Sequence, residues 1–131
     1  MREGRAAAAS RGSATLEFAL VLPLVLVMAL AVVQVGVLLK DQLVVVESAR
    51  AGAREAAVTQ DDGAARQAAA EAAASLDGAR LDVRIERQGG AGTPVSVAVV
   101  YHAPIAIPVV AWLFPSTVDL SARATMRTET G

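Results

Sequence analysis

One uncharged apolar run near the N-terminus limits what this chain can fold into more than any other feature. From Phe18 to Leu39 there is no charged residue, and only Pro23, Gln34 and Gly36 interrupt the apolar character. At about 1.5 Å per residue, a helix of this length crosses the roughly 30 Å of hydrocarbon in a bilayer. The run therefore predicts a transmembrane helix, which Pro23 is expected to kink because its ring removes one backbone hydrogen bond.

A cleaved secretory signal is the main alternative for this run. Arg2, Arg5 and Arg11 precede it, but the apolar regions of such signals usually span about 7–15 residues and end at a small-residue cleavage site. This run is longer and continues into a helical pattern without an obvious site. We therefore expect a retained helix. Its basic flank places the N-terminus in the cytoplasm.

The chain divides into four expected parts. Residues 1–12 are a basic, disordered leader, and residues 13–39 are the transmembrane helix. Residues 40–58 continue that helix outside the membrane, so that a single helix covers 14–58. Residues 59–131 then form a small extracytoplasmic α+β domain.

The outer half of the long helix and the segment after it predict close helix packing. Small residues at Ala49, Ala51, Gly52 and Ala53 would let another helix or a sheet approach closely. A second helix is expected over residues 64–76, because its alanine-rich sequence has high helix propensity. Asp61 or Asp62 would cap its start, and Asp77-Gly78 would end it.

Alternating apolar and polar residues predict about three antiparallel strands with one buried face. The strands are expected at 81–87, 95–103 and 118–129. In the second strand, the inward residues would be Val95, Val97, Val99 and Tyr101. The sheet would pack one face on a helix.

An apolar loop separates the second and third strands. It reads "PIAIPVVAWLFP", residues 104–115, and its three prolines argue against a long helix or a central strand. Trp112 and Phe114 are either core anchors of the domain or an exposed patch that contacts lipid or a partner.

Little in the sequence points to catalysis. The absence of cysteine excludes disulfides and thiol chemistry, and the single histidine, His102, excludes a His-rich metal site. No phosphate-binding loop occurs, and a net charge of -1 gives no reason to expect binding to nucleic acid. We expect no enzyme, no catalytic residue, no cofactor, no metal and no nucleic-acid partner.

Glu17 stands at the start of the apolar run, where a carboxylate costs a few kcal/mol if it enters the membrane. One interpretation is that it lies among the lipid headgroups and interacts with the helix dipole. However, Glu17 is also the fifth residue after Gly12, and this layout resembles the class III signal of type IV prepilins and pseudopilins. That resemblance implies that a membrane peptidase cuts between Gly12 and Ser13. Glu17 would then pair with the new ammonium of a neighbouring subunit and fix the register between subunits.

A second resemblance is to the TadE-like family of pseudopilins of the tight-adherence (Tad/Flp) pilus system. It rests on "EFALVLP" (Glu17–Pro23), on "ARAGAR" (Ala49–Arg54) and on the tail from Val99 onward. It implies a pilin-like fold and a minor pilin or pilus-assembly component in the cell membrane. The implied partners are other pilins, the assembly machinery, the prepilin peptidase and membrane lipid.

Within this interpretation, Arg50, Gly52 and Arg54 would shape the junction between the helix and the domain. The alternatives are an uncleaved membrane-anchored scaffold and an anchored extracytoplasmic binding domain that uses the Trp112 patch. A hydrolase ranks third, and it would require a catalytic site that converges on His102.

Overall fold

A computed structural model describes the backbone of residues 2–129 and the side chains of residues 12–129. Its dominant element is helix α1, Arg2–Val58, with Pro23 inside it. The prediction of a disordered leader was wrong for residues 2–12, because α1 includes them. The alanine-rich composition of this segment favours a helix and explains the difference.

A second helix follows a short break. Helix α2 spans Asp62–Ala72, and the Asp61 carboxylate caps it by accepting a hydrogen bond of 2.8 Å from the Gly63 amide. Of the two predicted caps, Asp61 and Asp62, the structure has Asp61. The predicted end was wrong, because α2 stops before residues 73–76. Asp77 instead caps a short 3-10 turn, where it accepts a bond of 3.0 Å from Ala79 N.

The remaining elements form a three-stranded antiparallel meander. The strands are β1 (Leu81–Arg87), β2 (Pro94–Pro104) and β3 (Thr117–Arg127), in the order β1-β2-β3. A 3-10 helix, Pro108–Leu113, lies in the apolar loop between β2 and β3. The predicted α+β class is confirmed: one long apolar helix, a second helix and a three-stranded sheet.

The core of the domain forms where β2 faces the two helices. Because β2 is the central strand, its inward side chains are fully or almost fully buried: Val95, Val97, Val99, Tyr101 and Ala103. Helix α1 contributes a stripe of small buried residues at helical spacing: Val45, Ser48, Ala49, Gly52, Ala53 and Ala56. Helix α2 adds Ala65 and Ala69. The outer part of α1 is therefore built into the domain and holds it at a fixed place on the helix.

Gly52 sets how closely these layers approach. A Cβ atom at this position would lie 3.1 Å from Ala69 Cβ, 3.1 Å from Val97 Cγ1 and 3.2 Å from Ala65 O. The residue thus faces α2 and the sheet at once. This confirms the prediction that small residues on α1 permit close approach by another helix or a sheet.

Candidate functional site

The first candidate site is the start of the apolar run. Gly12, Ser13 and Glu17 are all exposed on α1, and Ser13 Oγ donates a hydrogen bond of 3.3 Å to Glu17 Oε1 one turn later. The bond between Gly12 and Ser13 lies in helical backbone, and a Cβ at Gly12 would touch nothing within 4 Å. A protease that needs extended backbone would have to unwind this turn. Glycine lowers the cost of unwinding by about 1 kcal/mol relative to alanine.

The second feature is the bare apolar surface of α1 beyond Glu17. Large side chains are exposed along most of its length, among them Phe18, Leu20, Leu24, Met28, Val32 and Leu39. By length and composition, α1 is the one helix in the described part of the chain that could cross a membrane, and almost none of its most apolar window is buried. A core helix of a soluble protein would be covered by its own fold. This surface has to be covered by lipid or by other helices.

The three predicted junction residues lie on two faces of α1. Gly52 is buried against α2 and β2, whereas Arg50 and Arg54 are exposed. The two arginines and Val46 form one wall of a groove of about 510 Å³, and residues 121–126 of β3 form the other wall. Arg50 makes a long contact of 3.9 Å with the exposed Glu47. The arginines therefore border the junction but do not fill it.

Arg87 makes the polar contacts of this junction, and the sequence analysis missed it. Its guanidinium donates to Asp62 Oδ1 at 2.8 Å, to Ala56 O at 2.9 Å and to Thr59 O at 3.0 Å. One side chain thus joins the end of α1, the start of α2 and the end of β1. The signal was available, because Arg87 continues the inward series of Leu81, Val83 and Ile85. A cation on a buried face requires partners.

Gln34 joins the apolar loop to the apolar part of α1, and this contact was also missed in the sequence. Its side chain is fully buried, and Oε1 accepts hydrogen bonds from Ala106 N (3.1 Å) and Ile107 N (3.2 Å). Nε2 has no hydrogen-bond partner within the described residues. A lone glutamine in an apolar helix was the available signal, since such a group is costly unless it is bonded.

The structure separates the two residues that were predicted together in the apolar loop. Trp112 is 75% exposed, so it is not an anchor of the core. Phe114 is partly buried, and the buried residue of the loop is Val110. The loop thus packs through Val110 and in part through Phe114, and it presents Trp112, its largest side chain, outward.

His102 has an ordinary cross-strand partner. Its Nδ1 lies 2.6 Å from Asp119 Oδ1, and the two residues are opposite each other in the register of β2 and β3. Both side chains are at least half exposed. Within residues 12–129, no group of three or more histidine or acidic side chains is placed to hold a metal ion. The pair fits a surface contact between strands.

Comparison with known proteins supports the resemblance drawn from the sequence. A family model described as TadE-like protein matches residues 12–54, which is less than half of the chain. The comparison with curated proteins and the comparison with solved structures gave no match. The similarity of the tail from Val99 onward stays a prediction. From Gly12 to Arg54 this chain is similar to the TadE-like family.

Proposed function

We propose that this protein is a minor pilin, or a pilus-assembly component, of a Tad/Flp-type system, and that it acts by packing against other subunits. The observation that carries the proposal is the uncovered apolar surface of α1. It begins directly after Glu17, and it lies in the segment that matches the TadE-like family. The protein works without catalytic residues or cofactor in this proposal, and its contacts are made by a membrane helix and a small outer domain.

The proposed orientation follows from charge. The basic leader stays in the cytoplasm, α1 crosses the cell membrane once, and the domain lies outside. Apolar side chains of other transmembrane helices cover an apolar helix as well as lipid does, so packing between helices depends on shape and on polar pairs. Glu17 supplies the polar group.

Glu17 is proposed to set the register between subunits. After cleavage between Gly12 and Ser13, the new ammonium and the Glu17 carboxylate would both lie at the membrane edge. A charge that is removed from water needs a partner of opposite sign. An ammonium from one subunit and Glu17 from its neighbour satisfy each other only at one axial offset, which fixes how the helices are staggered.

The other proposed residues shape the subunit. Pro23 leaves the carbonyl of Ala19, four residues earlier, without its usual partner and bends the helix. Arg50 and Arg54, which border the groove beside β3, keep the proposed role at the junction together with Gly52. The proposed partners are other pilins, the assembly machinery and the prepilin peptidase.

The test is the N-terminal sequence and intact mass of the protein from native membranes, with and without the prepilin peptidase. A start at Ser13 that disappears without the peptidase is the expected result. A chain that keeps its leader in both strains would overturn processing and favour the uncleaved scaffold.

A pair of variants makes this test specific. Gly12→Leu should block cleavage, because a side chain would obstruct the peptidase groove. Gly36→Leu is the matched control, since a Cβ at Gly36 also meets nothing within 4 Å. The control should be processed normally. Equal processing of both variants would contradict a cut at Gly12.

A further inference from the structure

We propose that the apolar loop, residues 104–115, inserts into the bilayer on the domain side as a second membrane contact, and that Gln34 holds it there. The inference depends on α1 crossing the membrane, but it does not depend on a role in a pilus. With the loop inserted, the domain contacts the membrane surface directly, in addition to being attached to it through α1.

The depth of the loop follows from where it touches α1. Gln34 lies about 9 Å along the helix from Lys40, the first charged residue after the apolar run, at about 1.5 Å per residue. Ala106 N and Ile107 N are within 3.2 Å of Gln34 Oε1, so the loop reaches the same level. Interfacial amphipathic helices typically bury their apolar face about 5–10 Å into the boundary between headgroups and acyl chains. The loop is therefore placed inside the apolar zone of α1.

The loop has the backbone chemistry that this depth demands. Irregular backbone at membrane depth must have its polar groups satisfied inside the protein. Three prolines remove N–H groups from the loop: Pro104, Pro108 and Pro115. Gln34 Oε1 accepts hydrogen bonds from two further N–H groups of the loop, and Val110 N donates a hydrogen bond of 3.1 Å to Ile107 O.

Gln34 itself gives an independent indication. It is the one residue of 18–39 that is fully buried, although Val33 and Val35 on either side of it are exposed. The amide is thus shielded from lipid, and its oxygen is aimed at the loop. A polar side chain placed in this way is explained if the loop remains seated against α1 inside the membrane.

The outward side chains of the loop suit lipid. Val109 is 56% exposed, Trp112 75% and Leu113 46%, and residues 104–115 contain no charge. Tryptophan is enriched at the interface between acyl chains and headgroups. Because Gln34 ties the loop to α1, the patch lies beside the exposed apolar surface of that helix. Lipid is therefore the occupant that we assign, ahead of a protein partner.

Trp112 is the only tryptophan in the chain, so its fluorescence reports the position of the loop directly. The full-length protein is reconstituted at low density in phosphatidylcholine vesicles. Quenching by lipids brominated along the acyl chain is compared with quenching by aqueous acrylamide. The expected result is a blue-shifted emission, strong quenching by the shallow bromolipids and weak quenching by acrylamide.

Two relocated tryptophans calibrate the measurement. On a Trp112→Phe background, Val32→Trp places the probe on an exposed site of α1, and Arg66→Trp places it on an exposed site of α2. Bromolipid should quench the first and acrylamide the second. If Val32→Trp is not quenched by bromolipid, the span itself is wrong. If Val32→Trp is quenched and Trp112 behaves like Arg66→Trp, the proposal for the loop is overturned. Protection of Trp112 from both quenchers would also overturn lipid as the occupant, because the side chain would then be covered by the protein itself.

Gln34 is tested as the positioning residue of the loop. Gln34→Leu leaves two backbone N–H groups without their acceptor, so the quenching of Trp112 by bromolipid should fall and that by acrylamide should rise. Gln34→Glu, measured at acidic pH so that the carboxyl is protonated and carries no charge into the membrane, keeps an acceptor oxygen and should retain the original pattern. Slow hydrogen exchange at the β2 amides in each variant checks that the domain stays folded. If Gln34→Leu is folded and the quenching of Trp112 is unchanged, Gln34 does not position the loop.

Discussion

Arg87 at the end of β1 and Asp62 at the start of α2 form an ion pair in which Arg87 Nε lies 2.8 Å from Asp62 Oδ1. The same guanidinium donates to the carbonyl groups of Ala56 and Thr59. These carbonyls lie at the end of α1, and the last carbonyl groups of a helix have no hydrogen-bond donor within the helix itself. The side chain that pairs with Asp62 therefore also fastens the end of α1 to the domain.

We expect Arg87→Gln to destabilise the domain by about 2–4 kcal/mol, because partly buried carbonyls and a carboxylate lose a charged donor. The measurement is hydrogen exchange at the β2 amides of the full chain in detergent, since these amides exchange when the domain opens. The rate should rise about 30-fold or more, at about tenfold per 1.4 kcal/mol.

Arg66→Gln is the matched control for this variant. Arg66 is exposed on α2, and surface substitutions of this kind usually change stability by less than about 0.5 kcal/mol. Exchange at β2 should stay close to that of the unmodified protein. A similar acceleration in both variants would mean that the contacts of Arg87 contribute no more than a surface charge does.

Gly52→Val should destabilise the domain by about 1–3 kcal/mol, because added methyl groups overpack a contact that is already tight. The neighbours at 3.1–3.2 Å include the backbone oxygen of Ala65, which cannot turn away as a flexible side chain can. The thermal unfolding midpoint should fall. Gly78→Val is the comparison, because a Cβ at Gly78 meets nothing within 4 Å. If both variants lower the midpoint equally, close packing at Gly52 is not the cause.

Ser48→Ala should lower the stability of the domain by about 1 kcal/mol, because a buried hydrogen bond from the hydroxyl is lost while its acceptor keeps another donor. Ser48 Oγ donates to Ala69 O at 2.7 Å, and Ala73 N donates to the same oxygen. Ser96→Ala removes a bond of the same length, to Thr125 Oγ1, on the exposed face of the sheet. Water can replace that bond, so the loss of stability should be smaller. Hydrogen exchange at β2 compares the two, and a larger effect of Ser96→Ala would contradict this account.

The sheet could be predicted because apolar and polar residues alternate along its strands with a period of two. Val95, Val97 and Val99 alternate with residues on the other face, so a strand with one buried face was the only pattern that fitted. The predicted bounds of β1 match the structure, and those of β2 and β3 differ at their ends. Position in the sheet was not predictable from the period, although it explains why β2 is buried more completely than β1.

The missed features are polar groups whose partners are distant in sequence. Arg87 and Asp62 are brought together by the fold, and so are Gln34 and the amides of Ala106 and Ile107. The sequence indicated that Arg87 and Gln34 would be costly if unpaired, but it did not indicate which partner each would find. The helical leader and the early end of α2 were missed for a different reason. Alanine-rich sequence favours a helix everywhere and therefore marks its ends poorly.

Glu17→Gln separates register setting from simple capping. The substitution keeps the shape of the side chain and removes its charge, and it should also ease insertion of the helix, because a carboxylate is costly near the membrane. If Glu17 pairs with an ammonium of the neighbouring subunit, the variant should reach the membrane in normal amounts. It should be lost from the assembled surface fraction, as measured by shearing and immunoblot. Glu47→Gln, the same change at an exposed site on the outer part of α1, should assemble normally. Normal assembly of Glu17→Gln would show that the carboxylate serves only the end of the helix.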